Sequence, residues 1–252
     1  LLVHLGRFEA ATPLLLALVE LPAPPDPRAW LELGKLRHQQ GEESAALEAL
    51  GEVATFVRSN RALMQGEGAE VSRRWSAFGE SLYHRDTIER RSYLQNAVQA
   101  LQTARDADPR NYHALVWGGR ITIEDEQQAT ARDNWFEPAL RRNPNYVETL
   151  VGYARSYLFE GNPFDAQDAL QTALRVAPTH LSTLLLAAEF RSREGNLQAA
   201  ATYAAQVLSI NPRSLDGLAW AARIARLQGD LEEYRDLEQQ TLALAPGHSE
   251  FY

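Results

Sequence analysis

Apolar residues recur at three- and four-residue steps through most of this chain, and short polar turns interrupt them at regular intervals. Between residues 147 and 178, Leu150, Tyr153, Ala154 and Tyr157 fall on one helical face. Glu160-Gly161-Asn162-Pro163 then breaks the pattern. Gly readily takes the left-handed conformation that ends a helix, and Pro suits the first turn of the next one. Ala166, Ala169, Leu170, Ala173 and Leu174 line a second helix, which stops at Ala177-Pro178. A proline further inside it would remove a backbone hydrogen bond and clash with the preceding turn.

The same plan returns twice. Leu184, Ala187 and Ala188 precede Glu194-Gly195-Asn196, and Ala200, Ala204 and Val207 lead to Asn211-Pro212. Leu218, Ala221 and Ala222 precede Gln228-Gly229-Asp230, and Tyr234 and Leu237 lead to Ala245-Pro246. The prolines Pro109, Pro144, Pro178, Pro212 and Pro246 are therefore spaced by 35, 34, 34 and 34 residues. A period of that size describes a helical hairpin that is copied and stacked.

The register exposes further motifs. Trp30-x-x-Leu33-Gly34 is followed by Ala46-x-x-x-Leu50, and Trp75-x-x-Phe78-Gly79 by Ala97-x-x-x-Leu101 and Pro109. Leu150-x-x-Tyr153-Ala154-x-x-Tyr157, Ala166-x-x-x-Leu170 and Pro178 form the fullest copy. These residues resemble the tetratricopeptide repeat, and the resemblance covers nearly the entire chain. It implies an all-α fold, a right-handed α-α superhelix of antiparallel helical hairpins. Six repeats are expected, at 27–58, 72–109, 112–144, 147–178, 181–212 and 215–246. A partial repeat at 1–22, with Gly6-Arg7-Phe8-Glu9-Ala10-Ala11 as its turn, and the start of a further helix at 248–252 complete a single array. The small residues Gly34, Gly79, Gly119, Ala154, Ala188 and Ala222 mark where the two helices of each hairpin approach closest.

Three stretches depart from the period. Trp75 to Ala97 is six residues longer than Trp30 to Ala46, so longer helices or a longer turn are expected there, with the irregularity over 84–96. Residues 59–71 read as a helix extension plus loop. In the third repeat, Trp135-Phe136-Glu137-Pro138 places a proline inside the second helix, where a kink or a late helix start is expected.

Composition narrows the function. The formal net charge of −8 argues against a general binder of nucleic acid or of anionic membranes. No apolar run reaches the length of a membrane-spanning helix. The absence of cysteine removes disulfides, thiolate metal sites and a cysteine nucleophile, and leaves the compartment open between cytoplasm and periplasm. Lys35 is the lone lysine beside 24 arginines, which together with abundant alanine points to a bacterial, GC-rich coding sequence. The chain opens at Leu1 inside a helical pattern and stops at Phe251-Tyr252 as another should begin, so it reads as a fragment of a larger protein.

Motifs for phosphate binding, zinc proteolysis, serine hydrolysis and calcium binding are all missing, so no catalytic residue, metal ligand or cofactor is assigned. The six histidines are scattered, and His180 and His248 share a turn position. The run Ile123-Glu124-Asp125-Glu126 reads either as a solvated helix end or as a contact for a basic partner.

In tetratricopeptide arrays the first helix of each hairpin lines the concave face, where partners commonly lie. The column one residue after each small residue holds Lys35, Glu80, Arg120, Arg155, Glu189 and Arg223. Arg193 and Arg226 follow one turn later, with Tyr83, Leu158 and Phe159 nearby. The resemblance thus implies a protein-interaction scaffold whose groove binds a peptide or helix. Lys35, Arg120, Arg155, Arg193, Arg223, Arg226, Leu158 and Phe159 are the candidate contacts, suited to an acidic or carboxylate-bearing ligand. The competing reading pairs these cations with glutamates of neighbouring repeats. One column of the family's two-carboxylate clamp for chaperone tails is occupied here by Val116, Val151, Leu185 and Ala219, which argues against a chaperone adaptor. A recruiting module of a larger enzyme is the alternative function, because the repeats from Asn211-Pro212-Arg213-Ser214-Leu215 resemble those beside bacterial peptidase-like domains. RNA binding, as in pentatricopeptide arrays of similar period, conflicts with the negative charge and the recurring turn Gly and terminal Pro.

Overall fold

A computed structural model of the chain describes residues 8–21, 26–89 and 93–246. The turn expected at Gly6-Arg7 and the helix start expected at 248–252 lie outside the described residues. The fold is all-α, with no strand among the described residues. Two compact units are present, one built from Phe8–His38 and Glu42–Arg142 and the other, among the described residues, chiefly from 143–246.

The first unit contains α1 (Phe8–Val19), α2 (Pro27–Gln39), α3 (Glu43–Ser59), α4 (Ala69–Glu89), α5 (Leu94–Ala107), α6 (Tyr112–Glu124), α7 (Gln128–Ala131) and α8 (Glu137–Arg142). Leu31 of α2 and Leu50 and Val53 of α3 bury together with Ala77 of α4, so adjacent hairpins share one core. Helix α4 is the lengthened element expected between Trp75 and Ala97, at 21 residues. Residues 59–71 resolve into the end of α3, a short 3-10 turn at Arg61–Met64, a bend and the start of α4. The bend is tied down by Gly68, whose N–H donates to the Ala107 carbonyl at 2.8 Å.

Close approach is tightest in the third hairpin. A Cβ added at Gly119 would lie 2.3 Å from the Phe136 ring, and one at Gly118 would lie 2.3 Å from Trp135. Both rings are almost wholly buried. The second helix here does not start late at Pro138: it begins at Gln128 and widens through a π turn at Arg132–Phe136 before α8. A π turn accommodates one extra residue in a helix, matching the 35-residue interval between Pro109 and Pro144. Pro138 has no N–H for the Asn134 carbonyl, and Arg105 Nη1 donates to it instead at 3.2 Å, with its guanidinium over the Trp135 ring.

The second unit contains three hairpins: α9 (Val147–Glu160) with α10 (Pro163–Val176), α11 (Leu181–Arg193) with α12 (Leu197–Ile210), and α13 (Leu215–Gln228) with α14 (Leu231–Leu244). The first helices pack on one another in the order α9, α11, α13. Ala154, Ala188 and Ala222 take the close-approach positions and are buried, so these hairpins have room for one methyl group. The turns are built as their residues demand. Gly161 and Gly229 end their helices at φ of 80° and 83°, and the Asn162, Asn196 and Asp230 side chains accept from backbone N–H groups of the next helix.

Gly119→Ala is expected to lower stability by about 1–3 kcal/mol through overpacking against Phe136. Gly51→Ala, at a helical position with open space around it, is expected to raise it by about 0.5–1 kcal/mol. In the third repeat the left-handed position at the hairpin turn is taken by Glu126, at φ 58°. Glu126→Gly is therefore expected to stabilise by about 1 kcal/mol. Urea unfolding midpoints check all three.

Candidate interaction surface

The column of charged residues on the first helices divides between the two units. In the first, Lys35 of α2, Glu80 of α4 and Arg120 of α6 follow one another. Glu80 is only 1% exposed. Lys35 Nζ donates to its Oε1 at 2.9 Å and to Glu32 Oε1 at 2.9 Å, and His113 Nε2 lies 2.9 Å from its Oε2. His84 Nε2 is 3.7 Å from Oε1. Burial is the largest influence on Glu80 and pushes its carboxyl up, but the imidazoles of His113 and His84 and the Lys35 charge outweigh it and hold the group well below its ordinary 4.5. Burial also depresses His84 below 6.5, and Lys35 is raised because its two glutamates more than offset its desolvation.

Above this buried pair lies an aromatic platform. Trp117 stands 5.4 Å from Tyr83, 5.7 Å from His84 and 6.3 Å from His113, measured between ring centres. The Arg120 guanidinium lies over Trp117 at 4.9 Å and over Tyr83 at 5.9 Å. Tyr83 Oη donates to Glu124 Oε1 at 3.0 Å, and Arg120 Nε is 3.5 Å from the same oxygen. Burial, with Glu124 adding to it, pushes the Tyr83 hydroxyl up to about 12, so it remains a donor at neutral pH.

In the second unit, Arg155 Nε lies 3.3 Å from Glu189 Oε2, and Arg193 Nη2 donates to Glu189 Oε1 at 3.1 Å. Glu189 is buried, so it joins α9 to α11 as Glu80 joins α2 to α4. Arg193 also lies over the Phe159 ring at 4.8 Å. Arg223 lies over Trp220 at 5.1 Å and Arg226 over Tyr234 at 5.9 Å. Both are exposed, and neither has a carboxylate within 4.0 Å among the described residues.

Pairing between repeats thus accounts for Lys35 and Arg155, the competing reading of the column. Leu158 is 7% exposed and packs into the core of α9 and α10, so it offers no surface to a ligand. Its neighbour Phe159 is 49% exposed. The 100° step between helical neighbours puts one ring outside and the other side chain in. Sequence reasoning missed Trp117, His113 and Trp220. The repeated spacings Trp117-x-x-Arg120 and Trp220-x-x-Arg223 were the available signal.

The tetratricopeptide repeat family matches residues 1–60 and 153–214. Those two stretches carry tetratricopeptide repeats, and the fold is that of a tetratricopeptide-repeat solenoid. A thermophilic tetratricopeptide repeat protein of Thermus thermophilus is similar in structure, with TM-score 0.61 and 19% identity, over 69% of this chain and 92% of that one. A tetratricopeptide repeat protein from Parabacteroides merdae matches at TM-score 0.53 and 16% identity, over 87% and 80% of the two chains. The Cut9–Hcn1 hetero-tetramer of the APC/C contains a chain matching at TM-score 0.67 and 14% identity, over 96% of this chain and 44% of its own. No curated protein matches the sequence. Tetratricopeptide repeat proteins are generally non-catalytic scaffolds that bind protein partners. No helix among the described residues is long and apolar enough to cross a membrane.

Replacing Glu80 by Leu leaves Lys35 with a buried and only partly compensated charge, and is expected to cost about 3 kcal/mol. Lys35→Met/Glu80→Leu should recover most of that loss. Glu80 keeps its charge to lower pH when folded, so its contribution is present above pH 4.5 and is lost as pH falls through the folded-state value. His84 takes up its proton more readily when unfolded, so stability already declines as pH falls through 6.5. Urea midpoints should therefore fall from pH 7 to pH 4, with a shallower fall between pH 6.5 and 5 in His84→Phe.

Proposed function

We propose that this repeat protein binds an acidic or carboxylate-bearing segment of a partner protein on the first-helix face of its second unit. The observation that carries this reading is the state of Arg223 and Arg226. They lie three residues apart on α13, exposed, each set over an aromatic ring and without a carboxylate partner among the described residues. Other candidate cations are already engaged, Lys35 with Glu32 and Glu80, Arg155 and Arg193 with Glu189, and Arg120 with Glu124.

Stacking holds a guanidinium flat and limits the rotamer freedom it would lose on binding, while leaving its N–H fork open to a carboxylate. Exposed Phe159, under the Arg193 guanidinium on α9, supplies an apolar contact on the same set of first helices. In a chain of net charge −8 these cations are a local feature, which favours a discrete acidic motif over a polyanion. No observation favours the alternative of a recruiting arm for a hydrolase.

The test uses the full chain and a fluorescent hexaglutamate peptide. Arg223→Glu/Arg226→Glu should weaken binding at least tenfold, since a hydrogen bond to a charged group contributes about 1.5–3 kcal/mol. Reversal of the exposed Arg61 and Arg73 should not. Equal binding by the Arg223/Arg226 variant, or equally tight binding of polyuridine to the wild type, would overturn the proposal.

A further inference from the structure

The two units present the same device at the same place. Trp117-x-x-Arg120 lies on α6, the last of the first helices α2, α4 and α6, and Trp220-x-x-Arg223 lies on α13, the last of α9, α11 and α13. Each arginine follows the small residue of its hairpin, Gly119 or Ala222, and each guanidinium lies over its own tryptophan, at 4.9 and 5.1 Å. The position before each in the column is a buried glutamate that pairs with a cation of the preceding repeat.

They differ one turn further along. Four residues after Arg120 stands Glu124, and four residues after Arg223 stands Leu227, which is 52% exposed and can pair with nothing. The Glu124 carboxylate receives the Tyr83 hydroxyl at 3.0 Å and lies 3.5 Å from Arg120 Nε. Nothing in α6 itself calls for it. As the last residue of the helix, followed by Asp125 and Glu126, it sits where the helix dipole disfavours negative charge. Arg120 and Glu124 have side chains 51% and 40% exposed, so the platform they occupy is open to water.

We propose that Glu124 fills, from within the chain, a carboxylate site of the kind that Arg223 leaves open, so that the first unit holds a second, latent site for an acidic segment. This rests on the reading of Arg223 as a carboxylate receptor. Glu124 shows what the platform does with a carboxylate: a guanidinium braced on Trp117 and a phenol from the neighbouring α4 converge on one oxygen. In the second unit the phenol has no counterpart, because Ser192 stands at the position matching Tyr83, and Arg226 supplies the additional donor group from α13 itself. The two sites therefore favour the same ligand chemistry with different strengths.

Titration calorimetry of the full chain with unlabelled hexaglutamate decides the matter. Wild type should bind one equivalent, Glu124→Leu two, and Leu227→Glu none, because the last installs the internal carboxylate beside Arg223. Adding Arg120→Gln to Glu124→Leu should return the count to one. Glu124→Gln, which keeps side-chain volume and hydrogen bonding, should likewise admit a second equivalent if the leucine variant folds poorly. One equivalent in wild type and in both Glu124 variants would overturn the latent site and leave the Arg223 reading standing. No binding in wild type with one equivalent in Glu124→Leu would do the reverse.

Discussion

A methyl group's worth of space between the two helices of a hairpin is the constraint on which the rest of this structure depends. At Gly119 even that space is missing, because the Phe136 ring occupies it. At Ala154, Ala188 and Ala222 one buried methyl fits. Once the paired backbones are this close, the apolar stripes of the first and second helices face the same core. The next residue along each first helix is then carried to the first-helix face of its own unit. The charged column is a consequence of that packing, since a residue adjacent to the closest contact has nowhere to go but along the first-helix surface.

On that surface the same two side-chain types do different work according to depth. Glu80 and Glu189 are buried and hold cations of the preceding repeat, which makes them ties between hairpins. Arg223 and Arg226 lie further out and are braced by aromatic rings, which leaves their hydrogen-bonding forks toward water. A buried ion pair contributes register and specificity more than net stability, whereas a braced, exposed guanidinium is ready for a ligand. The first unit shows an intermediate case, in which Arg120 is braced in the same way but is already engaged by a carboxylate of its own helix.

Much of this was legible in the chain. The 34-residue period, the glycines at the turns and the prolines after the second helices located the hairpins, because those features report on local backbone geometry. The third repeat shows where local reading stops. Pro138 signals a disturbed helix, but its resolution through a π turn depends on Arg105 arriving from α5 to serve the Asn134 carbonyl. Leu158 and Phe159 make the same point for the surface. Both are apolar neighbours on one helix, and only the packing of α10 and α11 against α9 decides which is covered. Trp117 escaped notice because its partners Tyr83 and His84 lie more than thirty residues away along the chain.

The sequence by itself determined the hairpins, their order and the small residues at their closest contacts, because helix periodicity, turn chemistry and proline geometry act over a few residues. Tertiary structure alone decided which cations are spent on neighbouring glutamates and which remain open, because that outcome depends on distances between helices a whole repeat apart. The candidate site accordingly narrowed from a column of basic residues to Arg223 and Arg226, with Arg120 held in reserve behind Glu124.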